Sequence, residues 1–235
     1  MDTAVPPPPP QPPPRMLSHL LGFNAGYVDT AGFLALGGLF TAHVTGNFVT
    51  LGAALIHGSA GIVSKLAALP VFCLAVLLAR LASNAWAARQ RAPMPRLILA
   101  KVLLLALAAV LMLTSGPFAD ADSPIAFTAG MCMVAAMAVQ NAMQRMHLAQ
   151  LPPSTLMTGN TTQVMIDLAD WLRGLQGDAR RSAVARLQKM LPAIASFALG
   201  CALAALAYVQ LGMWCFALPP LVAAYSGWWV RGIKP

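Results

Sequence analysis

Apolar residues along this chain come in runs too long for strands and too continuous for one-sided surface helices. Eight runs stand out, at residues 16–36, 48–56, 66–86, 97–113, 125–148, 158–171, 191–211 and 213–230. Six of them approach the ~20 residues that a membrane-crossing helix needs. The runs at 48–56 and 158–171 are short and suit half-helices. A Thr-Gly-Asn triplet introduces each short run: Thr45-Gly46-Asn47 and Thr158-Gly159-Asn160. Gly and Asn are poor in helix interiors and tolerate left-handed backbone. Each triplet therefore reads as a helix break. At membrane depth such breaks are tolerated only where they line a cavity or are buried in protein.

The charges between the runs count the crossings. Arg89, Arg91 and Arg96 form one basic loop; Arg173, Arg180, Arg181, Arg186 and Lys189 form another; Arg231 and Lys234 close the chain. The positive-inside rule places all three in the cytoplasm, and Arg15 puts the N-terminus there too. Asp120 and Asp122 then fall outside. Only an even number of crossings fits between Arg15 and Arg89, and only an odd number between Asp122 and Arg173. The two short runs are the segments that do not cross. Each half then makes three net crossings, and an odd-numbered repeat leaves the halves upside-down relative to each other. The expected fold is an all-α polytopic membrane protein with an inverted 3+3 transmembrane repeat and a broken or re-entrant half-helix at each Thr-Gly-Asn. Its expected parts are a disordered Pro-rich cytoplasmic tail (1–15), a first repeat (16–118) and a second, inverted repeat (119–235). Eight full crossings is the alternative, and it would put a basic loop outside.

Composition supports that class. The chain is 58% hydrophobic and 9% charged, where a soluble domain carries about 25% charged residues. Lys and Arg exceed Asp and Glu by 15 to 7, but the excess sits between the runs, as membrane orientation requires, and forms no aromatic-interleaved face for nucleic acid. The four cysteines lie in apolar runs without Cys-x-x-Cys or His spacing and read as small buried hydrophobes. The methionines of 125–148 read as core filler. Nothing points to a metal or another cofactor.

Candidate chemistry gathers at the breaks. Gly22, Gly26, Asp29 and Phe33 share a face of the first run, where Gly22-x-x-x-Gly26 admits another helix closely. Asp29 is an acid near mid-membrane, which by default marks a functional site. It precedes Thr45 by about the interval at which Asn141 precedes Thr158, so one half offers a carboxylate and the other an amide. His43, and secondarily His57, are candidate proton relays to Asp29. Asp29 equally reads as a cation-binding group, as a partner of Arg145 or as an acceptor for the backbone freed by the break. Asp167 and Asp170 read chiefly as complements of Arg173 and its basic loop.

The run Gly26-Tyr27-Val28-Asp29-Thr30-Ala31-Gly32-Phe33, followed by Gly37-Gly38-Leu39-Phe40-Thr41-Ala42-His43-Val44-Thr45-Gly46-Asn47, resembles the hallmark segment of the YoaK-type family. Gln140-Asn141 with Thr158-Gly159-Asn160 resembles it more weakly. The likeness covers about residues 16–232. It implies a bacterial inner-membrane protein of about six spans, in a family filed under a domain of unknown function, and brings no substrate with it.

The residues themselves point to a secondary transporter or channel for a small polar or anionic solute, with the proton as candidate coupling ion. Two half-helix N-termini aimed at one midplane site attract negative charge. The expected solute-binding set is Asp29, His43, Thr45, Gly46, Asn47, Asn141, Thr158, Gly159 and Asn160, with Asp29 and His43 carrying the proton. The expected partners are that solute and the lipid bilayer, with no nucleic acid; a homo-oligomer is compatible. The competing readings are a membrane-embedded enzyme, disfavoured because no His-Glu-x-x-His or Gly-x-Ser-x-Gly is present, and a scaffold or sensor working through the polyproline tail.

Overall fold

A computed structural model of the chain describes residues 15–57 and 61–230. The polyproline tail, Arg231 and Lys234 lie outside the described residues, as does the side chain of His57. Among the described residues the chain is helical, without strands. The helices are α1 (Arg15–Ala35), α2 (Gly46–His57), α3 (Ile62–Ala88), α4 (Pro93–Ser115), α5 (Pro124–His147), α6 (Met157–Leu172), α7 (Gly177–Leu211) and α8 (Leu218–Val230), with a 3-10 turn, Gly212–Ala217, before α8. Three single helices, α3, α4 and α5, and the stretch Gly177–Val230 that holds α7 and α8 are long and apolar enough to cross a membrane.

The eight runs are eight helices, with three differences. The triplets do not break the helices. Gly46-Asn47 opens α2, and Thr158-Gly159-Asn160 lies in the first turn of α6. The breaks lie just upstream, at residues 36–45 and 148–156. The second basic loop is also largely helical, because α7 starts at Gly177 with Asp178 in its first turn and runs for 35 residues. An acid there suits the positive end of the helix dipole. Finally, 213–230 is not one helix. Gly212, in positive φ, and the Pro219-Pro220 pair confine the α-helical part to 13 residues.

Contacts fix the direction of the long helices. At one end of the bundle Gly61 lies against the carbonyls of Leu36 and Gly37 and the methyl of Ala121. There Asp122 also accepts the Val63 and Ser64 amides, at 3.0 and 2.9 Å, capping α3. At the other end Leu17, Met94, Leu148 and Val230 share a cluster, and Ser83 Oγ meets His147 Nε2 at 3.1 Å. The long helices therefore run between ends. By connectivity α2 returns to the end where α3 starts, and α6 to the end where α7 starts.

α1 packs most extensively on α7, and α5 on α4 and α3. The α1–α7 contact depends on glycine. A Cβ on Gly26 would run into the Phe197 carbonyl, and one on Gly200 into that of Phe23. The expected close approach at Gly22-x-x-x-Gly26 thus has α7 as its partner. Away from the core, Leu74, Leu77, Leu81, Leu103, Leu206 and Val209 are more than half exposed, an apolar belt of the kind that lipid covers. Inside are two apolar clusters, one around Leu17, Leu21, Leu97 and Met143 and one around Ala25, Val28, Leu105 and Met137. Between them lies a buried polar layer of Asn24, Lys101 and Gln140.

Candidate functional site

Both chain breaks fold back along the helix they leave, and the residues that hold them there form the site. In the first, Gly37 and Gly38 turn with positive φ, and the Gly38 amide closes α1 on the Phe33 carbonyl at 3.0 Å. The chain then doubles back until the Thr41 and Ala42 amides donate to Asp29 Oδ1, each at 2.7 Å. The other carboxylate oxygen, Oδ2, sits 2.7 Å from His43 Nδ1. Asp29 is only 5% exposed. It satisfies the buried backbone that the break would otherwise leave without acceptors and holds the imidazole as well. Asn47 clamps the return of the strand-like segment: its Oδ1 accepts the Phe40 amide and its Nδ2 donates to the Phe40 carbonyl, both at 2.8 Å.

The second break uses amides where the first uses a carboxylate. Gln144 Oε1 accepts both the amide and the hydroxyl of Ser154, at 3.0 and 2.5 Å, while its Nε2 donates to the Pro152 carbonyl. Asn141 Oδ1 accepts the Thr155 hydroxyl at 2.6 Å. Asn160 Nδ2 donates to the Pro153 carbonyl at 2.9 Å. That bond repeats the seven-residue reach of Asn47, but proline has no amide to complete the pair. Gln140 Nε2 reaches Ser154 Oγ at 2.7 Å and the Leu21 carbonyl of α1 at 3.0 Å. Its Oε1 receives Lys101 Nζ at 2.5 Å.

The two breaks meet at His43. Its ring lies within hydrogen-bonding reach of the Thr155 backbone and meets Phe197 of α7 edge-on, with ring centroids 5.3 Å apart. A polar path thus runs from Asp29 through His43 to the segment that Asn141, Gln144 and Gln140 hold. Beside the second break a cleft of about 380 Å³ opens between α3 and α5, lined by Phe72, Arg80, Asn141, Arg145 and Leu156 among others.

The expected site residues fall into two groups. Asp29, His43 and Asn141 converge where the breaks meet. Asn47 and Asn160 are buried and commit their amides to backbone, so they shape the loops. Thr45, Thr158 and Gly159 are exposed, and Gly46 lies under the Phe40 ring. Thr158 instead helps line a shallow groove on the outer face of α6. Asp29 pairs with His43; Arg145 is exposed. Asp167 is buried and receives the Arg186 guanidinium through both Nε and Nη2, tying α6 to α7. Lys101 is 1% exposed and was not singled out by sequence pattern, though a lone lysine inside an apolar run was a usable signal. Ser154 and Thr155 were also missed, being ordinary loop residues until the fold supplies their partners. Among the described residues no three of His, Cys, Asp and Glu gather where they could hold a metal ion, and all four cysteines are free.

The family model described as "Protein of unknown function (DUF1275)" matches residues 17–228. The chain belongs to this family. No curated protein and no solved structure matches it. Both breaks, Asp29 and Lys101 all lie inside the matched region, so the site belongs to the family domain.

Proposed function

We propose that this protein is a transporter or channel of the bacterial inner membrane, with both termini in the cytoplasm, carrying a small polar or anionic solute past the junction of its two breaks. The observation that carries the reading is His43, bonded to Asp29 of its own half and within reach of Thr155 of the other. An inverted 3+3 repeat underlies it. Exchanging the first four helices for the last four converts the α1–α7 contact into α5–α3, α4–α5 into α8–α1, and α2–α3 into α6–α7, all of which are present. The seven-residue clamps of Asn47 and Asn160 support the same correspondence.

In this reading the Asp29–His43 pair is the proton-coupling element, because a buried acid there touches a half-buried base where the two breaks meet. Arg80 and Arg145, both lining the cleft beside Asn141, favour an anionic or hydrogen-bond-accepting solute. Lys101 holds the second break through Gln140.

The test is uptake by the purified chain in proteoliposomes, across a panel of small polar and anionic solutes, with and without a pH gradient. The wild type should accumulate at least one of them, and Asp29→Asn or His43→Gln should abolish the gradient's effect. Uptake indifferent to both substitutions would overturn the assignment of the proton pair. A second reading, acid–base catalysis within the membrane, is favoured by the same 2.7 Å contact between Asp29 and His43. It would be supported by turnover of a lipid or peptide that His43→Ala eliminates.

A further inference from the structure

We propose that the end of the bundle where α1 begins carries a binding site for a phosphate-bearing anion, separate from the junction of the breaks. A cleft of about 290 Å³ opens there between the start of α1, the second break and the first part of α7. Arg15, Ser18, His19, Gln150, Gln188 and Lys189 line it, and no carboxylate does. Among the described residues neither Arg15 nor Lys189 makes an ion pair. Their charges face the cleft uncompensated, in a chain of net charge +8.

A separate observation points to a ligand. Ser18 is 5% exposed and its hydroxyl has no hydrogen-bond partner. A buried hydroxyl without a partner loses free energy that a bound acceptor restores.

The arrangement fits phosphate better than carboxylate. A phosphate holds its oxygens in a tetrahedron, three terminal ones in a monoester and two beside ester oxygens in a diester headgroup, so they can be shared out of plane among the guanidinium fork of Arg15, the Lys189 ammonium and the Ser18 hydroxyl. A carboxylate has two oxygens in a plane. The space suits a small phosphate ester or a headgroup rather than a nucleotide-sized ligand. Two sources share that chemistry: a soluble phosphate and the headgroup of an anionic phospholipid.

The experiment uses the full chain in neutral detergent, followed by its thermal-unfolding midpoint. Inorganic phosphate and glycerol phosphate are titrated against sodium chloride at matched ionic strength. Mixed micelles with phosphatidylglycerol are then compared with phosphatidylcholine. A saturable rise with a soluble phosphate, weakened at least tenfold in Arg15→Gln/Lys189→Gln, assigns the soluble source. A rise with phosphatidylglycerol alone, weakened to the same degree, assigns the headgroup. Ser18→Ala, which leaves the helix and both charges in place, should weaken the same response several-fold. Equal responses in wild type and all variants, or no response to either class of phosphate, overturn the proposal.

Discussion

The first break is held by a carboxylate and the second by amides, and the two solutions distribute risk differently. Asp29 alone accepts two backbone amides and the imidazole. The same task at the second break is shared among Gln140, Asn141 and Gln144, with Lys101 behind them. One side is a single carboxylate next to a base; the other is a net of neutral amides and hydroxyls, with the amine of Lys101 behind it. The two breaks thus reach a similar fold-back with different chemistry, a carboxylate and an imidazole at one and amides backed by a lysine at the other.

The largest break in that comparison is Asp29→Ala. It strips the acceptor from two buried amides, at about 1–3 kcal/mol each, so the unfolding midpoint should fall steeply and uptake should vanish. Gln144→Ala is its counterpart and should cost less, about 1–3 kcal/mol in all, because Gln140 still holds the Ser154 hydroxyl. Equal losses from the two substitutions would show that the second break also hangs on one side chain. Asn47→Ala should cost about twice what Asn160→Ala does, at roughly 0.5–1.5 kcal/mol per hydrogen bond, since Asn47 makes two bonds to Phe40 where Asn160 makes one to Pro153. Chemical unfolding of the two variants in one detergent would check the ratio.

Lys101→Met sharpens the functional side. Replacing a buried lysine with an apolar residue of similar size removes its desolvation cost but leaves Gln140 Oε1 without its donor, at about 1–3 kcal/mol. The midpoint should therefore move by only a few degrees, while uptake is lost. Lost stability with retained uptake would make Lys101 a prop for the second break and nothing more.

The smallest effect lies at the helix starts. Burial pushes the Asp122 carboxyl up, but the Ser64 and Val63 amides, the Ser64 hydroxyl and nearby Lys65 outweigh it and hold the group below its ordinary value. Its contribution is therefore present above the ordinary 3.8 and lost as pH falls through the lower folded value. Asp122→Asn should flatten that acid limb of the midpoint-against-pH curve.

Much of the fold was legible because membrane helices announce themselves by length and apolarity, and each apolar run holds a helix. The pairing of Asp29 with the first break was one of several readings the sequence left open, beside a proton or solute role and a partnership with Arg145; only the fold-back of Thr41 and Ala42 decides for the backbone. The position of the breaks was not legible. Thr-Gly-Asn marks the turn in which each short helix begins, and the signal came from Asn47 and Asn160 reaching back rather than from Gly46 and Gly159. Lys101 vanished into a run of leucines, where averaging hides one charge among many apolar neighbours. The helical start of α7 was masked by its arginines, whose role as surface charge of a helix depends on Asp167 of α6 reaching Arg186.

The glycine-lined seam between α1 and α7 joins the beginning of the chain to a segment made only after most of it has been synthesised. During biogenesis α1, with its acid, is made long before its principal neighbour. The groups that shelter Asp29 meanwhile lie no more than fourteen residues further along the chain. They emerge from the ribosome directly behind it, so the carboxylate is cloaked long before α7 arrives to complete the bundle.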